Sequence, residues 1–524
     1  MTPLLRRRVE PFQNSANAPR VSFGLPTAPR QLTPPRPTRP ALLASPNAGI
    51  LAPMLRRSLL AAALTACAPA TATTPPAEPA TLCPLAPSAA TLPVPANMSP
   101  APASGTAPPL LLRHVRLIDG TGAAPQPDLD ILLGAGRITR IGKPGERLTA
   151  PAGTRVLELA GRTLLPGLID AHTHLTGDPQ TSHAEGVAVG VTSSDADAAL
   201  RGAANARATL LAGFTTVRNV GGTLADRSLR DAIARGAVPG PRMLVANYAS
   251  GITGGHCDDT NGLRPDIFGA PPDFRVGIAD GPDELRKAVR HQIKLGADVI
   301  KICATGGVLS QGDGVGAPQL GPAEMQAVVD EATRAGRKVA AHAHGTLGIK
   351  EAVLAGVHSI EHGSVLDSET INLMKRRGTY LVPTVAVGAY VEEAANTGKL
   401  SPDSAAKARE IAPKMRASVV KAHKAGVKLA FGTDAGVFAH GTNAREFVIL
   451  VGLGIPAMDV ILAATRNAAD LLGLRDLGQI KPGYIADLVV VDGDPLTDIH
   501  TLERPTLVLQ SGAIVRDELP RPAP

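Results

Sequence analysis

Four short segments carry metal-capable or acidic side chains at spacings suited to a single site. They are Ile169-Asp170-Ala171-His172-Thr173-His174, Val299-Ile300-Lys301-Ile302, Ala341-His342-Ala343-His344 with Ile360-Glu361-His362-Gly363, and Phe431-Gly432-Thr433-Asp434. His172 and His174 stand at i and i+2, so on a strand both imidazoles face one side and can grip one cation. Alone, H-x-H is as easily a surface turn. Here the apolar run Leu164-Leu165-Pro166-Gly167-Leu168-Ile169 leads into it, His342 and His344 repeat the spacing, and His362 ends another apolar run. A lone histidine at a strand end is most often a polar cap, whereas several such histidines at one end of a fold point to a metal. Asp434 is placed to ligate a metal and to handle the proton of an attacking water.

Lys301 discriminates between chemistries. A lysine inside Asp298-Val-Ile-Lys-Ile-Cys is costly to bury. Either it snorkels to a partner, or it reacts with carbon dioxide to a carbamate whose two anionic oxygens can bridge two cations.

The elements that must position these groups alternate strand and helix. Candidate strands are 164–174, 215–220, 242–246, 299–303, 339–344, 358–362, 380–385 and 428–433, and helical periodicity fills 282–295, 322–335 and 368–377. Pro322 suits the first helical turn, and Gly336 and Gly378 suit helix stops. Eight such alternations predict an α/β protein with a (β/α)8 TIM barrel over 164–473, its ligands presented from the C-terminal strand ends. The polar stretch 392–424 is expected as a helical insertion after the seventh strand. Short strands with Gly and Pro turns at 110–163 and 474–518 predict one small β-sandwich built from both chain ends.

Composition sets the outer bounds. Among 524 residues there are no Trp, four Tyr and eight Phe, so the core must be built from Ala, Val, Leu and Ile. The net charge is +7, yet residues 1–57 alone hold nine Arg against Glu10, a net +8, which leaves −1 for the rest. A near-neutral body excludes a nucleic-acid interface, which needs a basic patch on the folded domain. Met54-Leu-Arg-Arg, the apolar Ser58–Leu64 run and Leu64-Thr65-Ala66-Cys67 follow the order of a signal peptide and resemble a bacterial lipobox. Cys67 is then the lipidated residue, and the expected place is the outer side of a cell-envelope membrane, a cytoplasmic protein being the alternative. The apolar run is short for a membrane span, so contact with the membrane is expected only through the lipid. Residues 1–53 are an extension, disordered or upstream of the true start, and 68–109, rich in Ala and Pro, is a flexible tether. With Cys83 in the tether and Cys257 and Cys303 in the body, no disulfide framework is expected, and Cys303 is expected to pack near the site.

These residues together resemble the amidohydrolase superfamily, in particular its imidazolonepropionase-like subgroup of Xaa-Pro dipeptidases, carboxypeptidases and ochratoxin-hydrolysing amidases. The resemblance runs from about 110 to 517 and also includes Thr215-Thr216-Val217-Arg218-Asn219-Val220-Gly221-Gly222, Thr253-Gly254-Gly255-His256 and Ala464-Thr465-Arg466-Asn467-Ala468-Ala469. It implies two divalent metals, with zinc the expected occupant and manganese, cobalt or iron compatible with the donors. His172 and His174 would hold the more buried metal, carbamylated Lys301 would bridge, His342 and His362 would hold the second, and Asp434 would be ligand and general acid/base. The implied reaction is hydrolysis of the amide bond in a dipeptide or N-acyl amino acid. Arg218, Tyr248, His256 and Arg264 are candidates to recognise a substrate carboxylate, each as easily a structural or exposed group. His344 is counted with the substrate contacts and is the second candidate for general base. The rivals are a mononuclear cyclic-amide hydrolase or deaminase and a non-catalytic scaffold of the same fold. The oligomeric state is left open, a homo-oligomer included.

Overall fold

The computed structural model describes residues 108–519 apart from 180–182, 265–266 and 268. Cys67, the signal segment, the extension 1–53 and nearly all of the tether lie outside the described residues.

In chain order the strands are β1 (Leu110–Leu117), β2 (Gln126–Gly134), β3 (Arg137–Ile141), β4 (Arg155–Glu158), β5 (Arg162–Pro166), β6 (Leu168–Thr173), β7 (Phe214–Asn219), β8 (Arg242–Val245), β9 (Val299–Cys303), β10 (Lys338–Ala343), β11 (Ser359–His362), β12 (Tyr380–Val382), β13 (Leu488–Asp492), β14 (Leu507–Gln510) and β15 (Ala513–Asp517). They form three sheets. Strands from both chain ends share one eight-stranded sheet in the order β15-β14-β13-β5-β1-β2-β3, with β4 beside β1. Its own apolar cluster includes Leu112, Val115, Leu129, Ile131, Leu488, Val490 and Leu509. The other two sheets are β6-β7-β8 and β12-β11-β10-β9, and every pairing in them is parallel. Strands β6, β7, β8 and β9 are buried at every position. That is why their sequences lack the regular apolar–polar alternation of a strand with one wet face, since parallel strands are covered on both faces.

Backbone hydrogen bonds link the two parallel sheets at both margins. Asp298 N donates to Val245 O (2.8 Å), Ser250 N to Lys301 O (2.8 Å) and Cys303 N to Ser250 O (2.9 Å), joining the end of β8 to β9. On the other side Leu381 N donates to Lys428 O (3.0 Å), Ala171 N to Phe431 O (2.8 Å) and Asp434 N to His172 O (2.8 Å). Segment 428–434 therefore lies between β12 and β6, though it is an extended run with isolated bridges and not the regular strand expected there. The cause is close approach: a Cβ on Gly432 would meet Val382 Cγ1 at 2.3 Å and His172 Cβ at 2.9 Å. Phe431 fills the interior, its ring 4.3 Å from Phe447 and 5.6 Å from Phe214, so three of the few aromatics meet there.

The expected strand 164–174 is two strands. Gly167 separates β5, in the terminal sheet, from β6, which carries the first ligands, and a Cβ at Gly167 would lie 2.3 Å from Thr215 Oγ1. Helices Val385–Asn396 and Pro402–Ala425 occupy the stretch after β12.

The expectation about cysteines is corrected. Cys257 and Cys303 form a disulfide with Cα atoms 5.9 Å apart and a sequence separation of 46. The loop after β8 is drawn along β9 by the Ser250–Ile302 bridge, which brings the two thiols together. No spacing rule on the sequence announces such a contact.

Candidate metal centre

The parallel strands deliver their C-terminal ends to one place, and two groups of donors stand there. His172, His174 and Asp434 form one, and His342, His344 and His362 form the other. His174, His344 and Asp434 lie just beyond β6, β10 and the 428–433 segment, so the short loops after the strands hold half of the donors. The groups adjoin: the rings of His172 and His362 have centroids 5.0 Å apart. The i, i+2 spacing works as expected for both histidine pairs. His344, expected among the substrate contacts, stands in the second group, its ring stacked on His362 at 5.0 Å and 4.7 Å from His342.

His362 and Asp434 have left-handed backbones, with φ of 70° and 63°. Neighbouring residues on a strand normally face opposite sides, yet Glu361 and His362 both contribute here. The turn at His362 swings its ring back toward the cluster. Backbone held in this region by surrounding structure is characteristic of functional sites.

Four of the five rings are oriented by a partner on Nδ1. His172 Nδ1 bonds Glu361 Oε2 (2.8 Å), His174 Nδ1 bonds Gly221 O (2.8 Å), His344 Nδ1 bonds Ser364 Oγ (2.6 Å) and His362 Nδ1 bonds Thr384 Oγ1 (2.8 Å). With Nδ1 engaged, Nε2 is left to face the centre. The Nε2 atoms of His172 and His174 lie 3.4 and 3.0 Å from Asp434 Oδ1. His342 Nε2 is buried without a hydrogen-bond partner. A buried, unpaired imidazole nitrogen amid other imidazoles is what a metal site offers its ion.

The electrostatics agree. Burial, with the neighbouring imidazoles adding, holds His342 and His362 well below the ordinary histidine range, and burial takes His344 to about 3, so all three are neutral donors. Burial would raise Asp434, but His172 and His174 override it and keep the carboxylate ionised. Lys301 is 4% exposed; burial pushes its ammonium down to about 8, against the pull of Glu361 and Asp434. A neutral amine is thus accessible near physiological pH. Its register partner on β10 is Ala340, two residues before His342.

The candidate substrate contacts separate. His256 lies at the centre: its ring stacks on His342 at 4.0 Å, and Ser310 Oγ holds its Nδ1 at 2.8 Å. Ser310 is bonded to Asp313, and Lys407 of the Pro402–Ala425 helix bonds Asp313 at 3.0 Å. Tyr248 is partly buried. Arg264 is exposed. Arg218 is 1% exposed, and its guanidinium is committed to Ala171, Ser359 and Glu361, which leaves no face for a substrate carboxylate. Glu361, Ser364 and Thr384, which orient the rings, had no role in the sequence reading; their position at or just beyond strand ends is the one signal for them.

Comparison with known proteins decides the family. The sequence profile described as the amidohydrolase family matches residues 163–515, well over half of the chain. The chain belongs to the amidohydrolase family. Ochratoxinase from Aspergillus niger is 36% identical over 362 residues, covering 66% of this chain and 73% of the enzyme. The crystal structure of a Xaa-Pro dipeptidase with methionine bound in its active site superposes with a TM-score of 0.74 at 40% identity, covering 78% of this chain and 99% of that one. A prolidase complexed with N-methylphosphonate-L-proline superposes with a TM-score of 0.70 at 32% identity, covering 78% and 100%. Membership makes this protein a hydrolase of carbon–nitrogen bonds in amides, with a TIM-barrel-like α/β fold.

Proposed function

We propose that the protein is a binuclear metal-dependent amidohydrolase that cleaves the amide bond of dipeptides or N-acyl amino acids. One observation carries this reading: two adjoining three-residue donor groups, with a buried lysine on the strand beside them. The likeness to ochratoxinase and to Xaa-Pro dipeptidase supports the substrate class. In this reading β6 to β12 and segment 428–434 make a closed (β/α)8 barrel, linked at both margins by the hydrogen bonds described above, and the terminal sheet folds as a small sandwich beside it.

His172, His174 and Asp434 would hold one cation and His342, His344 and His362 the other, zinc being the first choice for such nitrogen and carboxylate donors. Cations held there supply Lewis-acid charge and an acidified water at neutral pH. The neutral Lys301 Nζ would bond to the carbon of carbon dioxide and release one proton, giving a carbamate able to bridge. Asp434 accepts the proton of the attacking water and delivers it to the nitrogen of the leaving amine as the carbon–nitrogen bond breaks. His256, fixed by Ser310 beside His342, is positioned to contact the substrate.

The chain's place is proposed as the outer side of a bacterial envelope, anchored through Cys67. The Cys257–Cys303 disulfide supports an oxidising compartment. Among the described residues no helix is long and apolar enough to cross a membrane.

Metal analysis of the purified chain, with turnover of a dipeptide and N-acyl-amino-acid library, tests the reading. Two metals per chain with hydrolysis of such amides is the expected result. One metal with turnover of cyclic amides would replace it by the mononuclear hydrolase, and a metal-free, inert protein by the scaffold.

A further inference from the structure

We propose that Arg218 is a positioning residue for the metal centre, acting through Glu361 to set the tautomer and orientation of His172. The proposal rests on the metal-hydrolase reading and assigns a function to the largest fully buried side chain of the described residues.

The contacts form a directed chain. Arg218 Nη2 donates to Glu361 Oε1 at 2.8 Å, and Ser359 Oγ donates to the same oxygen at 2.5 Å. That leaves Glu361 Oε2 for His172 Nδ1, 2.8 Å away. An ionised carboxylate only accepts, so Nδ1 must carry a proton, which turns Nε2 toward Asp434 as the nitrogen that a metal would take. Arg218 Nη1 also takes Ser359 Oγ at 3.1 Å, while Nε donates to the carbonyl of Ala171 at 2.6 Å. Arg218 thus grips the backbone immediately before His172 and, through Glu361, the far side of its ring.

The geometry needs arginine specifically. Its planar fork reaches a carboxylate, a hydroxyl and a carbonyl at once, whereas lysine offers a point charge on a flexible stem. Buried ion pairs are poor stabilisers in general, since desolvation offsets much of their attraction. A gain in stability is therefore a weak reason for a charged pair in this place, and alignment of a ligand is a direct one.

The test uses the full chain, stripped of metal and carrying 15N-labelled histidine, with Arg218→Lys, Arg218→Met and Glu361→Gln beside wild type. Three measurements are made: the ring-nitrogen resonances of His172 without metal, zinc affinity by competition with a chelator, and the melting temperature. In wild type the His172 Nδ1 should be protonated. Glu361→Gln, whose amide can turn its NH2 toward Nδ1, should shift the tautomer, and both it and Arg218→Lys should weaken zinc binding by about 10- to 100-fold while melting near wild type. Wild-type resonances and affinity in these two folded variants would overturn the proposal. So would an Arg218→Met protein that melts lower yet binds zinc normally when folded, because that is the signature of structural glue. A wild type that binds no metal would defeat the hydrolase reading instead, while the resonances of the metal-free protein would still report on the relay.

Discussion

His174 Nε2 and Asp434 Oδ1 lie 3.0 Å apart across the floor of the site, although 260 residues separate them. They are joined because Asp434 N donates to His172 O, which registers the 428–434 segment against β6. Asp434→Asn keeps the size and loses the proton acceptor. The fold should survive, and turnover should fall by about 10²- to 10⁴-fold. Steady-state kinetics beside a circular dichroism melt checks this; a loss of only a few-fold would move the proton-transfer role elsewhere.

Lys301→Ala should remove binuclear metal binding together with activity. Short carboxylic acids should restore part of both, since they supply two oxygens where the carbamate stood. Lys301→Arg should fail as well, because guanidinium does not form the bridge. Turnover near wild type with two metals retained in Lys301→Ala would end the carbamate reading.

His344 separates two roles by metal content. As a donor beside His342 and His362, its loss in His344→Ala should lower the second metal's occupancy. As a substrate contact, its loss would raise KM with the metal content intact. Metal analysis and KM measured on one preparation decide between them, and the ring contacts at 4.7 and 5.0 Å favour the first outcome.

Acid sensitivity can be assigned to a residue outside the donor groups. Val339 N donates to His358 Nδ1 at 3.2 Å, and burial, with Lys338 and Arg218 nearby, takes this imidazole down to about 4 from 6.5. The folded state therefore resists a proton that the unfolded chain accepts. Stability is full above pH 6.5 and is lost as the pH falls from there toward 4. Between about pH 7.5 and 5 the contribution is at most about 2 kcal/mol. Urea midpoints of metal-free wild type should show that loss, and His358→Gln should flatten the difference by its own share. Equal slopes in the two proteins would refute the assignment.

Reducing the disulfide, or replacing it in Cys257→Ser, should lower the melting temperature, because a 46-residue loop is released in the unfolded chain. Chain entropy gives a ceiling of about 4 kcal/mol for a loop of this length. Free thiols at both positions in protein recovered from its native host would show that the clamp is not used there.

The donors were legible because they end apolar runs, singly or as i, i+2 pairs, so local sequence carried both the strand and the ligand. What orients them was not. Glu361, Ser364, Thr384 and the Gly221 carbonyl meet histidines that are 20 to 189 residues away in sequence. Arg218 was legible as a charge but not as a buried one, since burial is decided by β6 and β11 closing over it. The break at Gly167 was hidden because two strands of different sheets follow one another without a polar turn between them.

The terminal sheet has a consequence for how the chain is made. Strand β5 is hydrogen-bonded to β13, with Val489 beside Leu165 and Leu488 beside Pro166, more than 300 residues later in sequence. At the ordinary pace of synthesis of about 5–20 residues per second, β5 waits on the order of 15 s or longer for its neighbour. Through that interval Leu164 and Leu165, and the β6 residues Leu168 and Ile169 that lead into the first ligands, have an unfinished edge beside them. Completion is deferred to the last strands, so a chain that stops anywhere before β13 leaves β5, and with it the start of the catalytic domain, without its partner.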